Sequence, residues 1–104
     1  MIDESLPAEL ADELPGHEAA TVRDQRWRGL RNGVLLRAAV DAGFRVIVTA
    51  DQSLQYQQNL PKIGIAAIIV SGRNSMPHIV PLIPRILAAI DTIKTGEAIE
   101  VRPR

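Results

Sequence analysis

Two short runs of β-branched and apolar residues constrain the fold of this chain more than any other feature. The first, "FRVIVTA" at 44–50, and the second, "GIAAIIV" at 64–70, contain almost no polar side chains. A strand with one solvated face alternates apolar and polar residues, so uninterrupted runs predict strands that are covered on both faces. Such strands are typical of parallel sheets with helices packed on both sides.

Segments with helical spacing lie around these strands. Helices are predicted at 5–14, 32–43, 52–60 and 75–96, with Ser5, Asn32 and Ser75 as N-caps and Gly43 and Gly96 as terminators. Pro81 and Pro84 interrupt the last pattern, so its regular helix is expected to begin near Leu82. Further strands are predicted at 18–22 and, as a half-exposed edge strand, at 97–102. The alternation predicts an α/β fold, and the length predicts a single domain over 1–104.

Composition excludes several classes of protein. Of the 104 residues, 46% are hydrophobic and 23% are charged, which is typical of globular rather than disordered chains. The chain has no cysteine, which excludes disulfides and thiolate metal sites and agrees with a cytoplasmic location. No apolar stretch is long enough for a membrane span, and the start of the chain lacks the basic region of a secretory signal. The formal net charge is zero, so binding to nucleic acid would need a local basic patch.

Acidic residues stand where predicted strands end. Asp51 follows the run "VIVTA", and Asp3 and Glu4 follow two apolar residues that resemble the end of a first strand. The carboxyl ends of parallel strands open on the same edge of a sheet, where ligands bind. Two or three carboxylates at that edge would form a site for Mg²⁺ or Mn²⁺ and could support phosphodiester hydrolysis.

Local capping is the alternative role for the same acids. Asp51 would then accept hydrogen bonds from the backbone amides of Ser53 or Leu54, and Asp3 would cap the helix that follows it. Because a carboxylate has two oxygens, capping and metal binding can coexist.

Five segments together resemble the short PIN-like proteins, bacterial domains of unknown function related to toxin ribonucleases of the PIN superfamily. They are "DESLP", "LPGHEAATV", "WRGLRNGVLLRAA", "DAGFRVIVTADQSLQYQQNL" and "NSMPHIVPLIPRILAAI", and they cover nearly the whole chain. The block after the buried strand, with "TAD" and "YQQNL", is the most specific part. The resemblance implies a three-layer α/β/α sandwich with a mostly parallel sheet of about four to five strands.

The resemblance also implies a function and a set of site residues. It implies a single-strand-specific ribonuclease of toxin–antitoxin type that uses Mg²⁺ or Mn²⁺, with RNA and an antitoxin-like protein as partners. By position, Asp3 and Asp51 match the metal-binding acids, and Glu4 is expected to act as a ligand or as a base. Asn32 is expected to be an auxiliary ligand.

Two departures from the family pattern favour other readings. Where many relatives place acids at the start of the second helix, this chain has Asn32 and Val34, of which Val34 cannot bind metal. The chain could therefore be a catalytically degenerate module that binds RNA or a protein without cutting. The first strand is also shortened, which indicates a stub, a truncated start, or a homodimer in which another copy covers the gap.

An arginine-rich connection could bind RNA. The segment 23–37 contains five arginines around one tryptophan, and its candidate RNA-binding residues are Arg26, Trp27, Arg28 and Arg31. The arginines would hold phosphates, and the tryptophan would stack on an unpaired base. The alternative is a solvated connection in which Trp27 packs onto the edge of the domain.

A glutamine-rich segment is the second candidate RNA surface. Tyr56 would stack on a base, and Gln57 and its neighbouring amides would bond to base edges. The alternative is an exposed helical face with Leu54 and Tyr56 turned partly inward.

Overall fold

The computed structural model describes residues 1–17, 19–27 and 29–103. Its α-helices are α1 (Asn32–Asp41), α2 (Leu54–Gln57), α3 (Leu60–Ile63), α4 (Met76–Ile79) and α5 (Ile83–Thr92). Its strands are β1 (Val46–Thr49), β2 (Ala66–Val70) and β3 (Ala98–Val101). Two 3-10 helices, Ala8–Glu13 and Val80–Leu82, complete the regular structure of the described residues. The fold is therefore mixed α/β.

The three strands form one all-parallel sheet in the order β1-β2-β3. Every residue of β2 is buried because it pairs on both sides and is covered on both faces, as the run "GIAAIIV" predicts. The sheet ends at β3, whose residues are mostly half-exposed or exposed, so the predicted edge strand is confirmed.

Residues 1–3 add a short parallel segment beside β1. Ile2 forms isolated parallel bridges to Thr21 on one side and to Val48 on the other. The backbone amide of Ile2 donates to Ala20, and the amide of Asp3 donates to Val48. The predicted strand at 18–22 is thus reduced to a bridge at Thr21, and its first residue, Glu18, lies outside the described residues.

Alternate residues of the sheet contribute to two separate hydrophobic clusters. The first cluster contains Ile2, Val48 and Ile68, together with residues of the 3-10 helix Ala8–Glu13, α4 and α5. The second cluster contains Ile47 and Ile69, together with residues of α1, α2 and α3. Successive side chains of a strand point to opposite faces, so β1 and β2 contribute to both clusters.

Several predicted helix ends are confirmed and others are wrong. Gly43 follows α1 with a φ of 94°, as a terminator should, and α5 begins at Ile83 after an irregular proline-containing turn, close to the predicted Leu82. Asn32 is the first residue of α1 rather than its N-cap, because its side chain bonds to Asp51. Gly96 does not end the last helix, since α5 stops at Thr92.

Two predicted helices are shorter than expected. The segment 5–14 forms only the 3-10 helix Ala8–Glu13, and the Ser5 hydroxyl does not cap it but contacts Asp3 and the amide of Ala50. The segment 52–60 divides into α2 and α3, and Asn59 caps α3 by accepting from the amide of Lys62. Within the described part of the chain, no helix has the length and apolar character needed to cross a lipid bilayer.

The burial of Ile2 generates a test of the role of residues 1–3. Ile2→Ala is expected to lower the free energy of unfolding by about 2–5 kcal/mol, because it leaves a cavity at a side chain that is only 1% exposed. Urea titration followed by circular dichroism measures the change. The control Val80→Ala alters a side chain that is 51% exposed and should cost less than about 0.5 kcal/mol. Equal small losses for both variants would contradict the packing of Ile2.

Candidate functional site

Two acids predicted to form a site leave the sheet at the same edge. Asp3 follows the bridge residue Ile2, and Asp51 lies two residues after the end of β1. Since the pairing between these segments is parallel, both chains emerge at the carboxyl edge. Thr49 lies between the two acids and contacts both.

The carboxylate of Asp3 is buried and held by two hydroxyl groups. Its Oδ2 accepts from Ser5 Oγ at 2.7 Å and from Thr49 Oγ1 at 2.9 Å. Each hydroxyl oxygen in turn accepts a backbone amide: that of Ala50 on Ser5 at 3.0 Å, and that of Asp51 on Thr49 at 3.1 Å. The amides orient the hydroxyl protons toward Asp3 Oδ2. No donor from residues 1–17, 19–27 or 29–103 reaches Oδ1, which leaves that oxygen for a ligand.

The carboxylate of Asp51 is held by a different set of donors. Oδ1 accepts from the amide of Ser53 at 3.0 Å and from its hydroxyl at 2.6 Å, and Oδ2 accepts from Asn32 Nδ2 at 3.1 Å. The Ser53 hydroxyl is the main reason that the pKa of Asp51 lies below its ordinary value, and partial burial opposes it. The Ser53 amide and Asn32 lower the pKa further. The local capping expected for Asp51 is therefore present at Ser53.

The distance from the Asp3 carboxylate to the backbone of Asp51 is bounded through Thr49. Its Oγ1 is 2.9 Å from Asp3 Oδ2 and 3.1 Å from the amide nitrogen of Asp51, so these two atoms lie at most 6.0 Å apart. Asn32 joins the same group from the first turn of α1. Its amide nitrogen, rather than its carbonyl oxygen, is the atom that faces Asp51.

Glu4 follows Asp3 in the chain and lines a cleft with it. Glu4 is exposed, and the cleft of about 410 Å³ is also lined by Thr21 and Arg23. Among the arginines that the structure describes, Arg23 alone lines this cleft, and it brings a positive charge there from the residue after the segment paired with residues 1–3.

Few candidate metal ligands lie close together among the described residues. Among the residues that the structure describes, no group of three or more His, Cys, Asp or Glu could hold a metal. Magnesium is commonly bound through one or two carboxylates, with water and substrate phosphates completing its shell. Asp3, Asp51 and Asn32 carry oxygens of the type that magnesium prefers, and both oxygens of Asp51 already accept hydrogen bonds from the protein. Val34 is 57% exposed and offers no ligand.

The arginine-rich connection divides into exposed cations and a packed tryptophan. Arg26 and Arg31 are exposed, and Arg26 has the unusual φ of 60°. Trp27 is partly buried against the second cluster, which agrees with the alternative that it anchors the connection. Arg28 lies outside the described residues.

The glutamine-rich segment presents one aromatic ring to solvent. Leu54 is buried, whereas Tyr56 is 83% exposed and Gln57 is also exposed. The inward position considered for Tyr56 is therefore wrong. Its exposed ring offers a flat apolar surface to solvent.

Three residues of the site escaped the sequence reasoning. The sequence predicts a helix cap at Ser5, and Thr49 and Asn74 occur in it only as parts of longer segments with no role of their own. Asn74 Nδ2 donates to the backbone carbonyl of Ser5 at 2.8 Å, across 69 positions of the chain. A hydroxyl at the end of an apolar strand, two residues before an acid, was the one available signal for Thr49.

Comparisons with protein-family models, with curated proteins and with solved structures found no match to this chain.

The donors to Asp51 predict how its pKa responds to substitution. Ser53→Ala is expected to raise the pKa of Asp51 toward its ordinary value, because it removes the largest cause of the depression. Asn32→Ala should raise it by less. Titration of the carboxyl carbon by NMR measures both values, and Ser53→Thr, which keeps a hydroxyl, serves as the control. A larger effect from Asn32→Ala would contradict the hydrogen bonding described here.

The same depression predicts a pH dependence of stability. The folded state holds Asp51 ionised at a lower pH than the unfolded state does, so its stabilising contribution is complete above the ordinary value of 3.8. That contribution is lost as the pH falls through the folded pKa. The difference in unfolding free energy between wild type and Ser53→Ala is therefore expected to be largest at neutral pH and to shrink below pH 3.8. Urea titrations at several pH values measure it, and a difference that grows in acid would contradict the sign.

Proposed function

We propose that the chain forms a five-stranded, three-layer α/β/α sandwich of the PIN-like type. The pairing order supports this: residues 20–22, residues 1–3, β1, β2 and β3 follow one another across the sheet. Alternate residues of β1 and β2 belong to the two hydrophobic clusters, which would form the packing between the sheet and the helices on each face. In doubly wound parallel sheets, ligands bind at the carboxyl edge where the strand order reverses. Here the order reverses between residues 1–3 and β1.

We propose that this site hydrolyses single-stranded RNA with the help of Mg²⁺ or Mn²⁺. The observation that carries the proposal is the connection of Asp3 to Asp51 through Thr49 at the point where the strand order reverses. Asp3 and Asp51 would hold the metal, and Asn32 would be an auxiliary ligand. A bound divalent ion activates water and neutralises charge on the phosphate.

The residues of the chain have separate tasks in this proposal. Ser5 and Thr49 fix the Asp3 carboxylate, so that its Oδ1 faces the ligand without a change of rotamer. Glu4, exposed beside Asp3, would accept the proton of the attacking water. Tyr56 would stack on an unpaired base, which favours single strands over duplexes.

Binding of RNA without cleavage is the second candidate function. The small number of metal donors favours this function. Within the described ranges, no group of three or more His, Cys, Asp or Glu could hold a metal ion. Both oxygens of Asp51 also already accept hydrogen bonds from the protein. An antitoxin-like protein is a further partner that the family resemblance implies, and the shortened first strand suggests a second copy of the chain as another.

Substitution of the acids tests the hydrolytic function. Asp3→Asn and Asp51→Asn are each expected to lower the Mn²⁺-dependent cleavage of a labelled single-stranded RNA by at least about 100-fold. Replacing a residue that is hydrogen-bonded to a metal ligand lowers activity by up to about 100-fold, and replacing the ligand itself should cost at least as much. Asp41→Asn, at the exposed end of α1, is the matched control and should retain activity.

Mn²⁺ binding separates the two candidate functions. Calorimetric titration should detect Mn²⁺ binding to the wild type and to Asp41→Asn, and much weaker binding to Asp51→Asn. If the wild type binds RNA but neither binds Mn²⁺ nor cleaves, the chain is a binding module. If it cleaves and Asp3→Asn and Asp51→Asn cleave equally well, the assignment of the site is wrong.

A further inference from the structure

The loop between β2 and α4, residues 71–75, is held against the candidate site at two points. At its start, Ser71 Oγ lies 3.4 Å from Gln52 Nε2, and at its end Asn74 donates to the backbone carbonyl of Ser5. Ser5 in turn accepts the amide of Ala50. The first contact ties the loop to Gln52, next to Asp51, and the second ties it to Ser5, two residues after Asp3.

Arg73 stands between these two contacts. Consecutive Cα atoms are about 3.8 Å apart, so the backbone of Arg73 is one residue from the Asn74 contact and two from the Ser71 contact. Gly72, with a φ of 92° and Pro103 close by, turns the chain just before it. The loop thus has little freedom to carry Arg73 away from the segment that contains Asp51.

The guanidinium group of Arg73 forms no ion pair with the described residues. The Arg73 side chain is exposed. By contrast, Arg102 pairs with Glu100, and Arg85 donates to the carbonyl of Arg102. An exposed arginine on a loop that contacts the segments of Asp3 and Asp51 is suited to hold an anion that the carboxylates by themselves would repel.

We propose that Arg73 forms a phosphate-binding subsite for single-stranded RNA, and that Asn74 positions it by holding the loop on Ser5. This inference rests on the proposed function and names a phosphate contact outside the arginine-rich connection 23–37. The guanidinium group binds the phosphate next to the one at the acids. RNA then passes along the carboxyl edge with arginines on both sides of Asp3 and Asp51: Arg23 in the cleft and Arg73 on the loop.

The salt dependence of RNA binding tests this subsite. Binding of a short labelled oligouridylate is measured by fluorescence anisotropy over a range of KCl concentrations, without divalent metal so that no cleavage occurs. Each phosphate contact on a single strand contributes about 0.7 to the slope of log affinity against log salt. Arg73→Gln is expected to reduce the slope by about 0.7, which corresponds to about fivefold weaker binding at 0.1 M salt.

Three further variants separate charge, position and general loss of basicity. Arg73→Lys keeps the charge and should retain the slope, and Asn74→Ala should weaken binding several-fold with little change in slope. Arg45→Gln is the matched control, because Arg45 is exposed at the opposite edge of the sheet, just before β1. Its slope should equal that of the wild type.

The outcomes distinguish this inference from the proposed function. If the wild type binds RNA and Arg73→Gln binds with the same slope and affinity, the subsite is wrong and the ribonuclease proposal stands. If binding depends on Arg73 but no cleavage occurs with Mn²⁺, the subsite stands and the hydrolytic function is wrong. A wild type that does not bind RNA overturns both.

Discussion

The parallel pairing of residues 1–3 with chain on both sides is the constraint on which the rest of the structure depends. Ile2 bridges Thr21 on one side and Val48 on the other, and its side chain is buried in the first cluster. A slip of one residue would turn that side chain to the opposite face and move Asp3 away from Thr49. The packing of one isoleucine and four backbone hydrogen bonds thus decide where the buried carboxylate lies.

The two acids at the carboxyl edge have different surroundings. Asp3 is buried and receives two hydroxyl groups on one oxygen, whereas Asp51 is half-exposed and receives donors on both oxygens. Ser5 and Thr49 connect them. Each hydroxyl group accepts a hydrogen bond from a backbone amide just after β1 and donates a hydrogen bond to Asp3. The direction of the chain after β1 and the orientation of the Asp3 carboxylate are therefore fixed by the same hydrogen bonds.

The proposed RNA binding depends on local charges at this edge, because the chain has no formal net charge. Carboxylates by themselves repel a polyanion, so a phosphate approaches only where cations flank them. Arg23 lies in the cleft with Asp3 and Glu4, and Arg73 lies on the loop that Asn74 holds to Ser5. The chain has equal numbers of acidic and basic residues, but at this edge arginines lie near acidic side chains.

The sequence by itself determined the features that depend on neighbouring residues. The β-branched runs gave buried strands, Gly43 ended α1, and the prolines delayed the last regular helix until Ile83. Only the tertiary structure decided the partners of Ser5 and Asn32, which were expected to cap helices but bond to groups more than 15 positions away. The reason is physical: a small polar side chain bonds to a nearby amide or to a distant group with similar strength. Its hydrogen-bond partner is therefore determined only when the parallel strands bring distant segments to one edge of the sheet.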